Sequence, residues 1–127
     1  MSTKLRFSKP VVTAIHDGGI LGIRAGSAPH RFLGVWVVVV KDRVFVRPWN
    51  DKPNGWRRAF LEEPQGRIQI MSGRQLRVRA RAVRGDRLLD AIDHAYATKY
   101  DTAASRKWVR GFATPKRRRT TIELVPR

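Results

Sequence analysis

The stretch from Val35 to Arg47 constrains the fold of this chain more than any other. Two β-rich runs, Val35–Val40 and Val44–Arg47, flank the short polar turn Lys41-Asp42-Arg43, a spacing that predicts a β-hairpin. Every residue of Val35–Val40 is apolar, the pattern of a strand buried on both faces. In a small β domain that means barrel interior on one side and a helix or a second subunit on the other.

The remaining segments fit around the hairpin. The first eighteen residues have little pattern and close on the turn signal His16-Asp17-Gly18-Gly19, so residues 1–18 read as an N-terminal arm or helix and 19–127 as the main domain. Ile20–Arg24 reads as a short strand ended by Ala25-Gly26-Ser27-Ala28-Pro29. Gly55–Glu63 reads as a helix with Trp56, Ala59 and Phe60 on one side, and Arg67–Met71 as a strand. From Leu76 to Ala82, apolar residues alternate with Arg77, Arg79 and Arg81, which puts three arginines on an outer face. After the break Arg84-Gly85-Asp86, which carries a candidate N-cap, the segment Asp86–Tyr100 has Leu88, Leu89, Ile92, Ala95 and Tyr96 at helical spacing. A second helical piece, Ser105–Phe112, precedes the closing strand Thr120–Val125, which Pro126 stops. The economical architecture is a mainly β (α+β) antiparallel barrel with a helical excursion before its last strand, because closure leaves few unpaired edges.

A chain of 127 residues with 42% hydrophobic residues can build one modest core. No apolar run is long enough to span a membrane as a helix, and Met1–Arg6 lacks the apolar centre of a secretory signal. A cytoplasmic location is therefore expected. The absence of cysteine excludes a disulfide framework, thiolate metal ligation and a cysteine nucleophile. The formal net charge is +17 and is spread along the chain. Such a field attracts DNA, RNA, phosphorylated cofactors and acidic surfaces alike; arginine-rich coding bias would produce the same composition.

Candidate binding residues crowd behind the hairpin. Arg47, Trp49, Asn50, Lys52, Trp56, Arg57 and Arg58 lie in a Pro- and Gly-punctuated segment. Cations, an amide and flat indoles in one loop suit a ligand with a phosphate and an aromatic ring. Trp56 also fits an inward, packing position. Arg77, Arg79 and Arg81 suit either a nucleic-acid backbone or a solvated strand face that discourages edge pairing. Asp90, Asp93 and His94 share a helix face, but without further ligands they read as solvated surface, and no metal is expected. Ser27 and Ser72 sit in turns without a nucleophile elbow. No phosphate-binding P-loop or dinucleotide fingerprint is present. No catalytic residue is assigned, so any chemistry would fall to a bound cofactor.

From Ile20 to the C-terminus the chain resembles the FMN-binding split β-barrels, including deazaflavin-dependent nitroreductases and pyridoxamine phosphate oxidase-like proteins. More narrowly, it is similar to a bacterial domain family of unknown function within that superfamily. The likeness rests on the strand Val35–Val40, on Phe45-Val46-Arg47, on Gly55-Trp56-Arg57-Arg58-Ala59, on Tyr96-Ala97-Thr98-Lys99-Tyr100 and on the terminus Thr120–Arg127. The resemblance implies a six-stranded antiparallel Greek-key split barrel with two to three helices packed outside. It also implies a homodimer with FMN or a deazaflavin across the subunit interface. Arg24 and Arg31 stand where relatives hold phosphate, His30 is adjacent, and Arg47, Asn50, Lys52, Trp56 and Arg58 would complete the cofactor set. Trp49 would either stack on the isoalloxazine ring or fill the space that ring needs. The function implied is flavin- or deazaflavin-dependent oxidation and reduction of an unnamed substrate. The alternatives are a basic barrel that binds nucleic acid, with Trp49 or Trp108 stacking on bases, and a barrel that has lost its cofactor.

Overall fold

The computed structural model describes residues 6–27 and 30–127; residues 1–5, and Ala28 and Pro29 of the break after the first strand, lie outside the described set. In chain order the elements are α1 (Lys9–Asp17), β1 (Leu21–Ala25), β2 (Leu33–Val35), β3 (Val37–Val40), β4 (Arg43–Val46), α2 (Trp56–Glu62), β5 (Gln65–Gln69), β6 (Gln75–Ala82), α3 (Asp86–Lys99), α4 (Arg106–Phe112), α5 (Pro115–Arg118) and β7 (Ile122–Pro126). All strand pairs are antiparallel, in the order β2-β1-β5-β6-β7-β4-β3. The two ends of that order are consecutive in the chain, separated by Trp36 alone. The sheet therefore curls into a nearly closed barrel whose seam lies at Trp36. The sequence predicts six strands, and six chain runs form the barrel; the seventh strand arises because the run Leu33–Val40 breaks at its tryptophan.

The hairpin is as expected, with a tighter turn. Its loop is Lys41-Asp42, with φ of 52° and 63°, and Arg43 already pairs with Val40. Two consecutive residues in the left-handed region give the turn that matches strand twist. Pro126 does not stop the last strand: it pairs with Val78, and the Arg127 N–H donates to the Arg77 carbonyl beyond it. Five helices are present among the described residues rather than two or three. The extra ones are α1 and the single turn α5.

Strand alternation sorts the side chains into two cores. Val37, Val44, Val46, Ile23, Ile68, Val78, Ile122 and Leu124 fill the barrel interior, joined by Phe60 of α2. Val38 and Phe45 point the other way and pack with Ile92, Tyr96, Tyr100 and Phe112 from α3, its C-cap and α4. A strand buried on both faces is what the apolar run requires, and here a helix covers the outer side. Within the segment read as an arm or helix, Lys9–Asp17 forms α1, and its Val11, Val12 and Ile15 are buried in the interior core with Phe7. Ser8 at its N-cap and Pro10 in its first turn start it.

The seam needs partners for its backbone. In a two-residue hairpin the pair next to the turn is hydrogen-bonded and the pairs then alternate, so Val37 sits at a non-bonded pair and turns its N–H and C=O toward the gap. Two side chains at the end of α3 meet these groups, and a third meets the neighbouring Trp36 carbonyl. The Val37 N–H donates to the Tyr100 hydroxyl at 2.9 Å, and Lys99 Nζ donates to the Val37 carbonyl at 2.8 Å and to the Ile15 carbonyl of α1 at 3.2 Å. The Tyr96 hydroxyl donates to the Trp36 carbonyl at 3.2 Å. The Tyr100 hydroxyl lies 2.8 Å from the Gly19 carbonyl, and its ring stacks on Trp36 at 4.2 Å. The Tyr-x-x-Lys-Tyr motif thus satisfies the backbone where the barrel splits. Burial pushes the Tyr100 phenol up to about 12 and the Tyr96 phenol further up. Burial also lowers the Lys99 ammonium to about 8, Asp17 opposing the shift.

Candidate functional site

The loop after β4 runs from Arg47 to Gly55 and forms one wall of a cleft of about 460 Å³. Gly34, Val35 and Trp36 supply the seam side, Arg47 to Asn50 with Lys52 the loop side, Trp56 the α2 side, and Trp108 and Phe112 the α4 side. All four tryptophans of the chain therefore line a single cleft. Its size falls in the range of small-molecule sites, of roughly 300–1,000 Å³.

Trp49 is fixed in place. Its indole meets Trp108 edge-on at 4.7 Å and Phe112 at 5.5 Å, and the Arg117 guanidinium lies 3.8 Å over its ring. Arg117 Nε also donates to the Trp49 carbonyl at 3.0 Å. A Cβ at Gly111 would overlap the indole, so only glycine at that turn of α4 lets the ring lie so close. The indole consequently serves as a rigid partition: beyond it lies a second groove of about 430 Å³ that includes Asp51, Arg57, Arg58, Lys116 and Arg119.

Arg47 is 1% exposed and its guanidinium is occupied. It donates to Thr121 Oγ1 at 2.7 Å, to the Phe112 carbonyl at 2.9 Å, to the Leu89 carbonyl at 3.5 Å and to Asp93. It ties β4 to β7, α3 and α4, so any ligand in the cleft meets an arginine whose donors are already engaged. Arg57 and Arg58 are likewise committed, both to Asp51 at 2.9 Å. Hydrogen bonds from Arg58, with Arg57 adding to them, hold the Asp51 carboxyl below the usual carboxylate range against some desolvation. Asp90 and Asp93 pair with Arg118 from α5.

Of the eight residues expected to bind a cofactor, Arg47, Trp49, Asn50, Lys52 and Trp56 come together on the cleft. Arg58 faces the groove behind Trp49. Arg24 stacks on Phe32 at 5.0 Å and lines a different groove with Arg67 and Arg77. Arg31 is exposed, and the His30 ring nitrogens lie 3.1 and 3.2 Å from the Arg31 and Ala25 carbonyl oxygens.

A family model described as "Uncharacterized protein conserved in bacteria (DUF2255)" matches residues 11–124. The chain belongs to this family. No curated protein shows significant similarity to it. Among solved structures it is similar to the one titled "Crystal structure of conserved hypothetical protein Rv2991 from Mycobacterium tuberculosis". The two share 11% identity at a TM-score of 0.61, over 100% of this chain and 85% of the other. At that identity the likeness speaks for the fold. Among the described residues no helix is long and apolar enough to cross a membrane.

Sequence reasoning missed Trp36 and Phe112 as parts of the site, and assigned Trp108 only a base-stacking role. The available signal was residue type: four tryptophans in a small chain need shelter. Three of them flank hairpin or helix ends where a cleft can form. What sequence could not convey is that α4 folds back over the loop after β4.

Proposed function

We propose that the four-tryptophan cleft holds a planar, negatively charged aromatic cofactor, FMN or a deazaflavin, and that the protein is an oxidoreductase acting through it. The observation that carries this reading is the convergence of all four indoles, with Asn50 and Lys52, on one cleft of about 460 Å³. The donor set fits the aromatic part of such a group well: indole faces and edges offer stacking, and the Asn50 amide matches the hydrogen-bonding edge of a flavin ring. It fits the anionic tail through Lys52, an exposed point charge at the mouth. When bound, a flavin or deazaflavin supplies hydride transfer. The chain's own residues exclude water with Trp36, Trp56 and Trp108, hold the ring against the fixed Trp49 partition, and orient it with Asn50. Arg47 contributes a buried positive charge behind the wall without giving up its own hydrogen bonds.

The same reading includes a homodimer. Leu33 and Ile20 remain 39% and 49% exposed beside the seam strands that line the cleft, an apolar rim suited to a second copy of this surface. Light scattering should give a mass twice 14.6 kDa; a monomer at tens of micromolar would remove the dimer from the proposal. Titration of purified protein with FMN and with a deazaflavin, followed by cofactor fluorescence, tests the cleft. Saturable quenching, weakened at least tenfold by Asn50→Ala with Lys52→Ala, is expected. Absence of quenching by either cofactor at millimolar concentration would refute the assignment.

A further inference from the structure

The uncovered face of the barrel carries a second feature that the cleft does not use. Arg24 of β1 is the register partner of Arg67 of β5, Arg67 of Arg77 of β6, and Arg127 follows β7 with its N–H bonded to the Arg77 carbonyl. Four arginines thus stand in one row, about 5 Å apart from strand to strand. Arg79 continues the array along β6, two residues and about 7 Å from Arg77. Inward neighbours Ile23, Ile68 and Val78 are fully buried, so the arginines occupy the outer side. Together with Gly26, Ser27, Glu63, Gln65 and Gly66, the row lines a groove of about 300 Å³.

Like charges directly opposite one another on a sheet repel, and no ion pair among the described residues relieves them. The ion pairs among the described residues use Arg43, Arg47, Arg57, Arg58, Arg106 and Arg118; none uses Arg24, Arg67, Arg77, Arg79 or Arg127. Residues 1–5, 28 and 29 contain no acid that could pair with them. Glu63 lies at the rim of the groove without an ion pair, bonded instead to the Ser27 N–H at 3.2 Å. Arg24 Nε is buried without a hydrogen-bond partner. Apart from Glu63 at its rim, no acid lines this groove, and the β1-β5-β6 face is left cationic.

We propose that this arginine array binds nucleic acid through its phosphate backbone, without reading bases. A two-dimensional array of forked donors matches a chain of repeating phosphates better than one compact anion. The one aromatic ring found against the array, Phe32, is half-buried with the Arg24 guanidinium 5.0 Å over it, so that face of the ring is closed to bases. With five arginines engaged, the logarithm of affinity for a single strand should fall with the logarithm of salt at a slope of about −3.5.

The test is fluorescence anisotropy of labelled single-stranded oligonucleotides of two unrelated sequences across a salt series. Equal affinity for both sequences is expected, with a slope that falls by about 2 units in Arg67→Gln/Arg77→Gln/Arg79→Gln. The control Lys9→Gln/Arg87→Gln/Arg110→Gln removes as many charges from exposed positions elsewhere and should keep the slope. Equal loss in both triple variants would overturn the assignment of this face. So would a salt-insensitive signal, no binding at 50 mM salt, or tripolyphosphate displacing the strand at equal phosphate concentration. Circular dichroism of each variant confirms that the fold is intact.

Discussion

Arg47 and Lys99 show how little a residue type says before its neighbours are known. Both are cations held inside the fold, Lys99 on two backbone carbonyls and Arg47 on carbonyls, a hydroxyl and an acid. Arg47 joins β4, β7, α3 and α4 through donors to Thr121, Phe112, Leu89 and Asp93. Arg47→Met should therefore cost about 2–5 kcal/mol, because it leaves the Thr121 hydroxyl and the Phe112 carbonyl without this donor at about 1–3 kcal/mol each, while Asp93 keeps Arg118. Chemical denaturation measures it, and a loss under 1 kcal/mol would show that the guanidinium is dispensable to the fold. Lys99 carries a pH dependence. Its ammonium titrates near 8 in the fold and near 10.5 when unfolded, so between those values the unfolded chain holds the proton that the folded one has released. Stability conferred at this position then rises as pH climbs from 8 to 10.5. Relative to Lys99→Met, the native protein should gain stability across that window. A difference constant from pH 7 to pH 10 would contradict it. Above pH 10 the raised Tyr96 and Tyr100 phenols work in the opposite direction, since the unfolded chain ionises first.

At the scale of elements, period and turn chemistry were legible and tertiary closure was not. The alternation of Leu76, Val78 and Ala80 with arginines, the helical stripe Leu89-Ile92-Tyr96 and the two-sided burial of Val37 and Val38 all follow from spacing. The break at Trp36 does not, because it depends on Tyr96, Lys99 and Tyr100 arriving sixty residues later to satisfy the opened backbone. The start of β5 two residues early, at Gln65, is similar: Gly66 lets the Arg24 carbonyl and Phe60 approach so closely that a Cβ would collide. Helix α1 was legible only as an arm or helix, because its nine residues bear only three buried side chains. The cleft was half visible, since its loop is local and its far wall, α4, is not. The hairpin offers a direct test of turn energetics. Lys41 and Asp42 both hold positive φ, which costs about 1 kcal/mol per ordinary residue. Replacing them with Asn-Gly, the pair that favours this turn, should raise the melting temperature by several degrees. An unchanged or lower midpoint would mean that the turn is not strained.

For the molecule as a whole, the barrel separates two kinds of surface. The side covered by α3, α4 and α5 concentrates aromatic rings and ion pairs around a cleft, and the bare β1-β5-β6 side presents unpaired arginines. A composition of +17 is therefore not uniform decoration: ion pairs offset part of the charge on one side, and none among the described residues does so for the arginines on the other. The two surfaces make independent predictions, so failure of one leaves the other standing. The most direct measurement on the cleft is the set of four indole N–H resonances in a nitrogen-15 correlation spectrum during titration with FMN and a deazaflavin. The account predicts that the indole signals of Trp36, Trp49, Trp56 and Trp108 shift together with one binding constant, while backbone amides of β5 and β6 stay still. Four unmoved indole signals at saturating cofactor would contradict it.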